Sequence, residues 1–194
     1  MTLSRTVAWL VCCIYASVPS FWLLIHPRAE VWRKRHRERK PVYKLLLPIW
    51  IGMWAALFTL TYPLRGIVLY HWHGSWMIGL FFLAGGIFCY LRGGRGFAPL
   101  QLSGHHELEP ERHQQHLVVE GIRKHIRHPI YLGHLCELFG WSIGTGLAVC
   151  WILTVFAIAT GAIMIRAEDR ELVGRFGDSY REYQRQVPAI LPKW

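Results

Sequence analysis

Charge is absent from three stretches of this chain and dense between them. Thr6–Ile25, Leu45–Leu64 and Gly74–Leu91 contain no Asp, Glu, Lys or Arg. At 1.5 Å rise per residue, each is close to the roughly 20 residues that cross a hydrocarbon core of about 30 Å. Each predicts a membrane-spanning helix. A fourth uncharged block, Leu138–Ile165, is too long for one comfortable span and is interrupted by Gly144, Thr145 and Gly146. It predicts a helical hairpin whose first arm starts at Pro129 and whose second ends near Ile165. Pro19, Pro48, Pro63, Gly85 and Gly86 fall inside spans, where neighbouring groups satisfy the freed backbone, and so mark kinks rather than breaks. The pattern gives an all-α polytopic membrane protein with about five transmembrane helices, the fourth short, a C-terminal helical hairpin and a helical tail.

Composition supports a lipid environment. The chain has 194 residues, 53% of them hydrophobic, with ten Trp, which is richer in apolar residues than a soluble domain of this size. That length allows a single structural domain, in which residues 1–91 supply three N-terminal spans and residues 92–194 a cytoplasmic loop, the hairpin (129–165) and the tail (166–194). The first apolar stretch is longer than the core of a typical signal peptide and ends in bulky residues without a small-x-small cleavage site, so it is expected to stay in the protein.

The net charge of +10 is distributed by topology. Arg28, Arg33, Lys34, Arg35, Arg37, Arg39, Lys40 and Lys44 follow the first span, whereas only Arg65 lies between the second and third. The positive-inside rule places the first connection in the cytoplasm and the N-terminus outside. The same alternation puts Arg92–Arg127 and the tail from Arg166 in the cytoplasm; in a bacterium the membrane is the inner one. Anionic lipid headgroups account for the surplus charge, and no motif for nucleic-acid recognition accompanies it. Cys12, Cys13, Cys89, Cys136 and Cys150 lie in apolar spans without C-x-x-C spacing and read as small buried hydrophobes.

Ionisable chemistry is concentrated on the cytoplasmic side. Six histidines, His105, His106, His113, His116, His125 and His128, occupy the loop, and His113 and His116 have i, i+3 spacing, but neither a Cys ligand nor H-E-x-x-H accompanies them. No metal is expected. The run Gly93–Gly96 lacks the Lys-Ser/Thr of a phosphate-binding loop and reads as a flexible exit from the third span. At Arg127-His128-Pro129, the proline fits the first position of a helix and biases His128 to an extended conformation. The helix start can hold an anionic group such as a carboxylate on its unpaired N–H groups, assisted by Arg127 and Tyr131. An ordinary helix start anchored by interfacial side chains accounts for the same residues. In the tail, Glu168, Asp169 and Glu171 sit in a first cytosolic turn and call for a partner close to anionic lipid, either Arg166 or Arg170, or a bound cation or set of hydroxyls.

Two segments carry a family resemblance. "LVVEGIRKHIRHPIY", followed after the hairpin by "EDRELVGRFGDSYREYQRQVP", resembles the isoprenylcysteine carboxyl methyltransferases and their phospholipid-methyltransferase-like relatives, integral membrane enzymes that use S-adenosylmethionine. The resemblance covers roughly Leu100–Pro192. It implies that Leu117, Val118, His128, Pro129, Ile130 and Tyr131 line a cofactor pocket, with Gln115, His116 and Arg127 beside them, and that Glu168 contacts the cofactor from the tail. The chain departs from the family pattern at three places. Gln115 stands where a His is usual, Arg123 where an aromatic is usual, and Met164 at the position of the substrate-binding Arg, the nearest arginine being Arg166.

Chemistry and resemblance together give the expected function. S-adenosylmethionine offers a carboxylate to the helix start at Pro129 and ribose hydroxyls to Glu168. The acceptor is expected to be a lipophilic small molecule or lipid-linked group, a carboxylate, amine or thiol reached through the bilayer. Arg166 would orient it if anionic. A carboxylate needs no general base, whereas an amine or thiol does, and His134 and Glu137, inside the membrane, can supply one. Two further readings share these residues: a sterol-type membrane reductase using NADPH, and a non-catalytic protein retaining the fold.

Overall fold

The computed structural model describes residues 2–38, 42–72, 74–95 and 117–191. They form seven α-helices: α1 (Leu3–Ile25), α2 (Ala29–Arg37), α3 (Val42–Thr61), α4 (Ser75–Gly93), α5 (Pro129–Thr145), α6 (Ala148–Phe176) and α7 (Asp178–Gln186). Four stretches are long and apolar enough to cross a membrane: Leu3–Arg35, Lys44–Leu64, Ser75–Gly93 and Ala148–Phe176. The fifth expected span, α5, is the short one, with 17 residues. At 29 residues α6 is about 43 Å long, so the end that carries the acidic residues extends past a hydrocarbon core of about 30 Å.

The hairpin turn lies where the glycines predicted it. Gly146 ends α5 with φ +65°, a left-handed conformation that an L side chain rarely adopts. A Cβ there would also come within 2.6 Å of the Tyr70 carbonyl oxygen. The loop after α3 holds the turn in place, with Leu69 N–H donating to the Gly146 carbonyl and Ala148 N–H to the Ile67 carbonyl.

Each N-terminal helix finds its partner through small residues. Gly79, Gly86 and Gly93 recur every seven positions on α4 and face Gly140, Gly133 and Pro129 of α5 in antiparallel register. Added Cβ atoms would meet the Gly140 oxygen at 2.7 Å, Glu137 Oε1 at 2.8 Å and Pro129 Cγ at 3.0 Å. Small side chains let backbones approach closely, and van der Waals contact between helices is what drives association in lipid. On α1, Ala8, Cys12 and Ala16 recur every four positions and form a core with Leu138 of α5 and Cys150, Leu153 and Ala157 of α6. Polar side chains also bridge the helices, among them Trp9 to Thr61, Trp50 to Ser17, and Ser142 with Thr154. The exposed residues of α4 are bulky and apolar, among them Met77, Phe81 and Leu91, as a lipid-facing surface requires.

The tail folds back on the bundle. Gly177, with φ +58°, reverses the chain between α6 and α7. Tyr180, Tyr183 and Val187 then pack on Leu172, Val173 and Phe176, and Leu117 joins them.

Candidate active site

Pro129 opens α5 at its first position, with His128 as the residue before the helix, and the tail returns to this point. Arg127 N–H donates to the Pro188 carbonyl and His128 N–H to the Ala189 carbonyl, each at 2.9 Å. His128 is thereby buried to 5% exposure, between the start of α5 and the end of α6.

Asp169 is the hub of the resulting network. Its carboxylate receives Arg127 Nη2 at 2.7 Å, His128 Nε2 at 3.0 Å and the Tyr180 hydroxyl at 2.5 Å. Three donors satisfy it, so Asp169 holds the site together and has little capacity left for a ligand. Arg127 Nη1 donates to the carbonyls of Gln184 and Val187, while its buried Nε has no hydrogen-bond partner among the described residues. Its guanidinium ties the tail to α5 and keeps one N–H for the bound carboxylate that the sequence leads one to expect.

Glu168 is placed differently. Its Oε2 lies 3.3 Å from His128 Nδ1, an ion pair without hydrogen-bond geometry, and that oxygen is buried with no hydrogen-bond partner among the described residues. A buried carboxylate oxygen in that condition retains acceptor capacity for hydroxyl or ammonium groups. Glu171 turns to another cluster, pairing with His26 at 2.6 Å, with Arg33, and with Arg175 at 3.5 Å. It fastens the α1–α2 junction to α6. The acidic run expected to share one partner thus serves three purposes.

The electrostatics of His128 follow from this enclosure. Burial pushes its imidazole down, but the facing Glu168 carboxylate and the hydrogen bond to Asp169 outweigh that and raise it from 6.5 to about 9. A raised pKa means that the stabilisation from the charged imidazole is complete below 6.5 and is lost as pH rises through about 9. Thermal unfolding in detergent should therefore show a loss of stability between about pH 6.5 and pH 9 that His128→Asn removes. Equal pH dependence in the two proteins would refute the assignment. Nearby, burial lowers the Arg123 guanidinium, whose Nη1 donates to the Gly93 carbonyl at 2.5 Å and caps α4. The departure from an aromatic at this position therefore has a structural use.

Other expected site residues divide clearly. Tyr131 is next to His128 in space, with ring centroids 6.0 Å apart, and its hydroxyl donates to Met164 Sδ at 2.7 Å. Ile130 and Val118 are half-buried, and Leu117 belongs to the apolar cluster of the tail. Gln115 and His116 lie outside the described residues, as do His105, His106 and His113. Arg166 is exposed and, two residues from Glu168 on one helix, points about 200° away from it. Glu137 packs against α4 at Gly86. His134 lines a cavity of about 120 Å³ together with Tyr15, Tyr131, Leu138, Gly161 and Ile190. Of the three residues expected to act on an acceptor, only His134 faces a space that can hold one. Tyr180, which completes the network, was not among the expected site residues, because nothing in its spacing marks it, and Asp169 was marked only as one of an acidic cluster.

The chain is 32% identical over 93 residues to the protein-S-isoprenylcysteine O-methyltransferase of Schizosaccharomyces pombe, covering 45% of this chain and 38% of that protein. It is 35% identical over 97 residues to the Homo sapiens protein of the same name, covering 45% and 31%. Over less than half its length, the chain is thus similar to isoprenylcysteine O-methyltransferases. Methanethiol S-methyltransferase 1 of Bradyrhizobium diazoefficiens is similar too, 36% identical over 70 residues that cover 36% of this chain and 24% of that protein. The match thus spans about a quarter to two fifths of the length of these relatives. No family model matches the chain, and no solved structure matches it significantly.

Proposed function

We propose that this protein is an integral membrane methyltransferase that passes a methyl group from S-adenosylmethionine to a lipophilic or amphipathic acceptor at the cytoplasmic interface. The observation that carries this reading is the unsatisfied, buried Glu168 Oε2 facing His128 beside the start of α5. The two resembling segments converge there. The residues fit the donor: Glu168 can accept from ribose hydroxyls, the first turn of α5 suits a carboxylate, and Tyr131 supplies a ring beside both. When bound, S-adenosylmethionine supplies a methyl group on a cationic sulfur whose departure leaves a neutral thioether. The chain's part is to hold Glu168 against His128, to keep water out with the Pro188–Ile190 segment, and to admit the acceptor from the bilayer.

Equilibrium binding to the detergent-solubilised protein tests this reading. S-adenosylmethionine should bind and NADPH should not. Binding of NADPH alone would favour a membrane reductase, and binding of neither a non-catalytic protein. Orientation belongs to the same proposal, with α2 and the tail cytoplasmic and the N-terminus outside. A cysteine introduced at Lys34, which is exposed, should resist impermeant labelling of intact cells; labelling from outside would reverse the topology.

A further inference from the structure

The cavity beside the proposed donor site has one polar group whose protonation the structure fixes. His134 Nδ1 lies 2.8 Å from the Ile130 carbonyl oxygen. A carbonyl only accepts, so Nδ1 carries the hydrogen, and in the neutral ring Nε2 carries the lone pair. Nε2 has no hydrogen-bond partner among the described residues. The ring is held by edge contacts with Tyr15 and Tyr90, at centroid distances of 5.2 and 5.4 Å. Its Nδ1 is fixed by the Ile130 carbonyl, and the ring lines the chamber with Tyr15 and Tyr131 among otherwise apolar residues.

The chamber adjoins the site around His128 through two residues. Tyr131 lines it and neighbours His128, and Ile190 lines it while the preceding Ala189 carbonyl accepts from His128 N–H. Its lining residues Ile158 and Ala162 are exposed on the outer side of α6, so the space opens towards lipid. Size limits the occupant. A cavity of about 150 Å³ accommodates benzene, so this one, at about 120 Å³, takes an acceptor of a few heavy atoms.

We infer that this chamber is the acceptor site for a short, neutral thiol and that His134 Nε2 is the general base that removes its proton. The inference rests on the methyltransferase reading above. A carboxylate acceptor would enter ionised and have no use for a base, and an amine would be cationic in water and costly to bring into an apolar chamber. A thiol enters neutral and becomes nucleophilic on losing its proton. In the balanced step, the S–H electron pair makes the new S–CH3 bond and the proton goes to Nε2. The sulfonium S–CH3 bond breaks with its pair left on the donor sulfur. The imidazolium returns its proton to water once the product has left. Gly161 bounds the chamber on the α6 side, and a Cβ there would sit 3.9 Å from Pro19, in ordinary contact, so the space can be narrowed without a clash.

Three measurements on the full-length protein in detergent test the assignment. Histidine 15N spectra should show His134 as the Nδ1–H tautomer and its Nε2 signal should shift on adding ethanethiol in the absence of donor. Turnover of ethanethiol should fall about a hundredfold in His134→Asn, the order of magnitude of general-base catalysis, and the residue left should rise with pH as the thiol ionises unaided. Asn keeps an N–H near the position of Nδ1. Gly161→Ala should lower turnover of butanethiol more than that of ethanethiol. Retained S-adenosylmethionine binding in His134→Asn verifies the fold. If the wild-type protein binds the donor but methylates only carboxylates, or if His134→Asn methylates ethanethiol at the wild-type rate, the inference is overturned and the methyltransferase reading survives. If the wild-type protein does not bind the donor, both fall.

Discussion

Asp169→Ala is expected to lower stability by about 3–5 kcal/mol, the cost of removing one partner from a buried ion pair. Asp169 is 8% exposed and the only acidic residue bonded to both Arg127 and His128 among the described residues. Its removal leaves the Arg127 guanidinium without a carboxylate partner and His128 with Glu168 alone, and strips the Tyr180 hydroxyl of its acceptor. The tail should detach first, because α7 contacts the bundle chiefly through the end of α6 and the start of α5. Thermal unfolding in detergent should report the loss, and limited proteolysis should cut after Phe176 faster than in the wild-type protein. Asp169→Asn, which retains an acceptor, should cost less. A change below about 1 kcal/mol in the alanine variant would mean that the network contributes no more than a surface ion pair.

Glu168→Gln should act mainly on the donor. Its Oε2 pairs with His128 at 3.3 Å, so the amide should lower the unfolding temperature by loosening that ion pair while leaving the Asp169 network, and with it the fold, in place. A hydrogen bond to a charged group is worth about 1.5–3 kcal/mol, on the order of tenfold to a hundredfold in affinity. Titration calorimetry with S-adenosylmethionine should show that loss in a protein that still unfolds cooperatively. Because Glu168 and His128 are in contact, Glu168→Gln with His128→Ala should lose less than the sum of the single variants. Wild-type affinity in Glu168→Gln would remove this residue from the donor site.

The different partners of adjacent acidic residues mark the limit of what could be read from residues alone. Hydropathy and period are local properties, so the spans, the Gly146 turn and the abrupt start of α5 at Pro129 were all legible in the sequence. So was the meeting of His128 with Glu168, because a hairpin must return its second arm to the level of its first. The division of labour within Glu168, Asp169 and Glu171 was not legible. Neighbours on a helix differ by about 100° in direction, and only the rotation of α6 in the bundle decides that Asp169 meets Arg127, Glu171 meets His26, and Arg166 faces outward.

Two further decisions belong to the tertiary structure. His134 and Glu137 are three residues apart on one helix and equally ionisable, yet one faces a cavity and the other the α4 backbone, because the glycines at 79, 86 and 93 draw α4 onto one side of α5. Tyr180 reaches Asp169 only because Gly177 reverses the chain in a conformation that an L side chain rarely adopts. The sequence by itself determined which segments enter the membrane and where they turn, since transfer from water to lipid depends on composition alone. Which side chain meets which was decided by the rotation and close approach of helices distant in sequence, and therefore only by the packed structure.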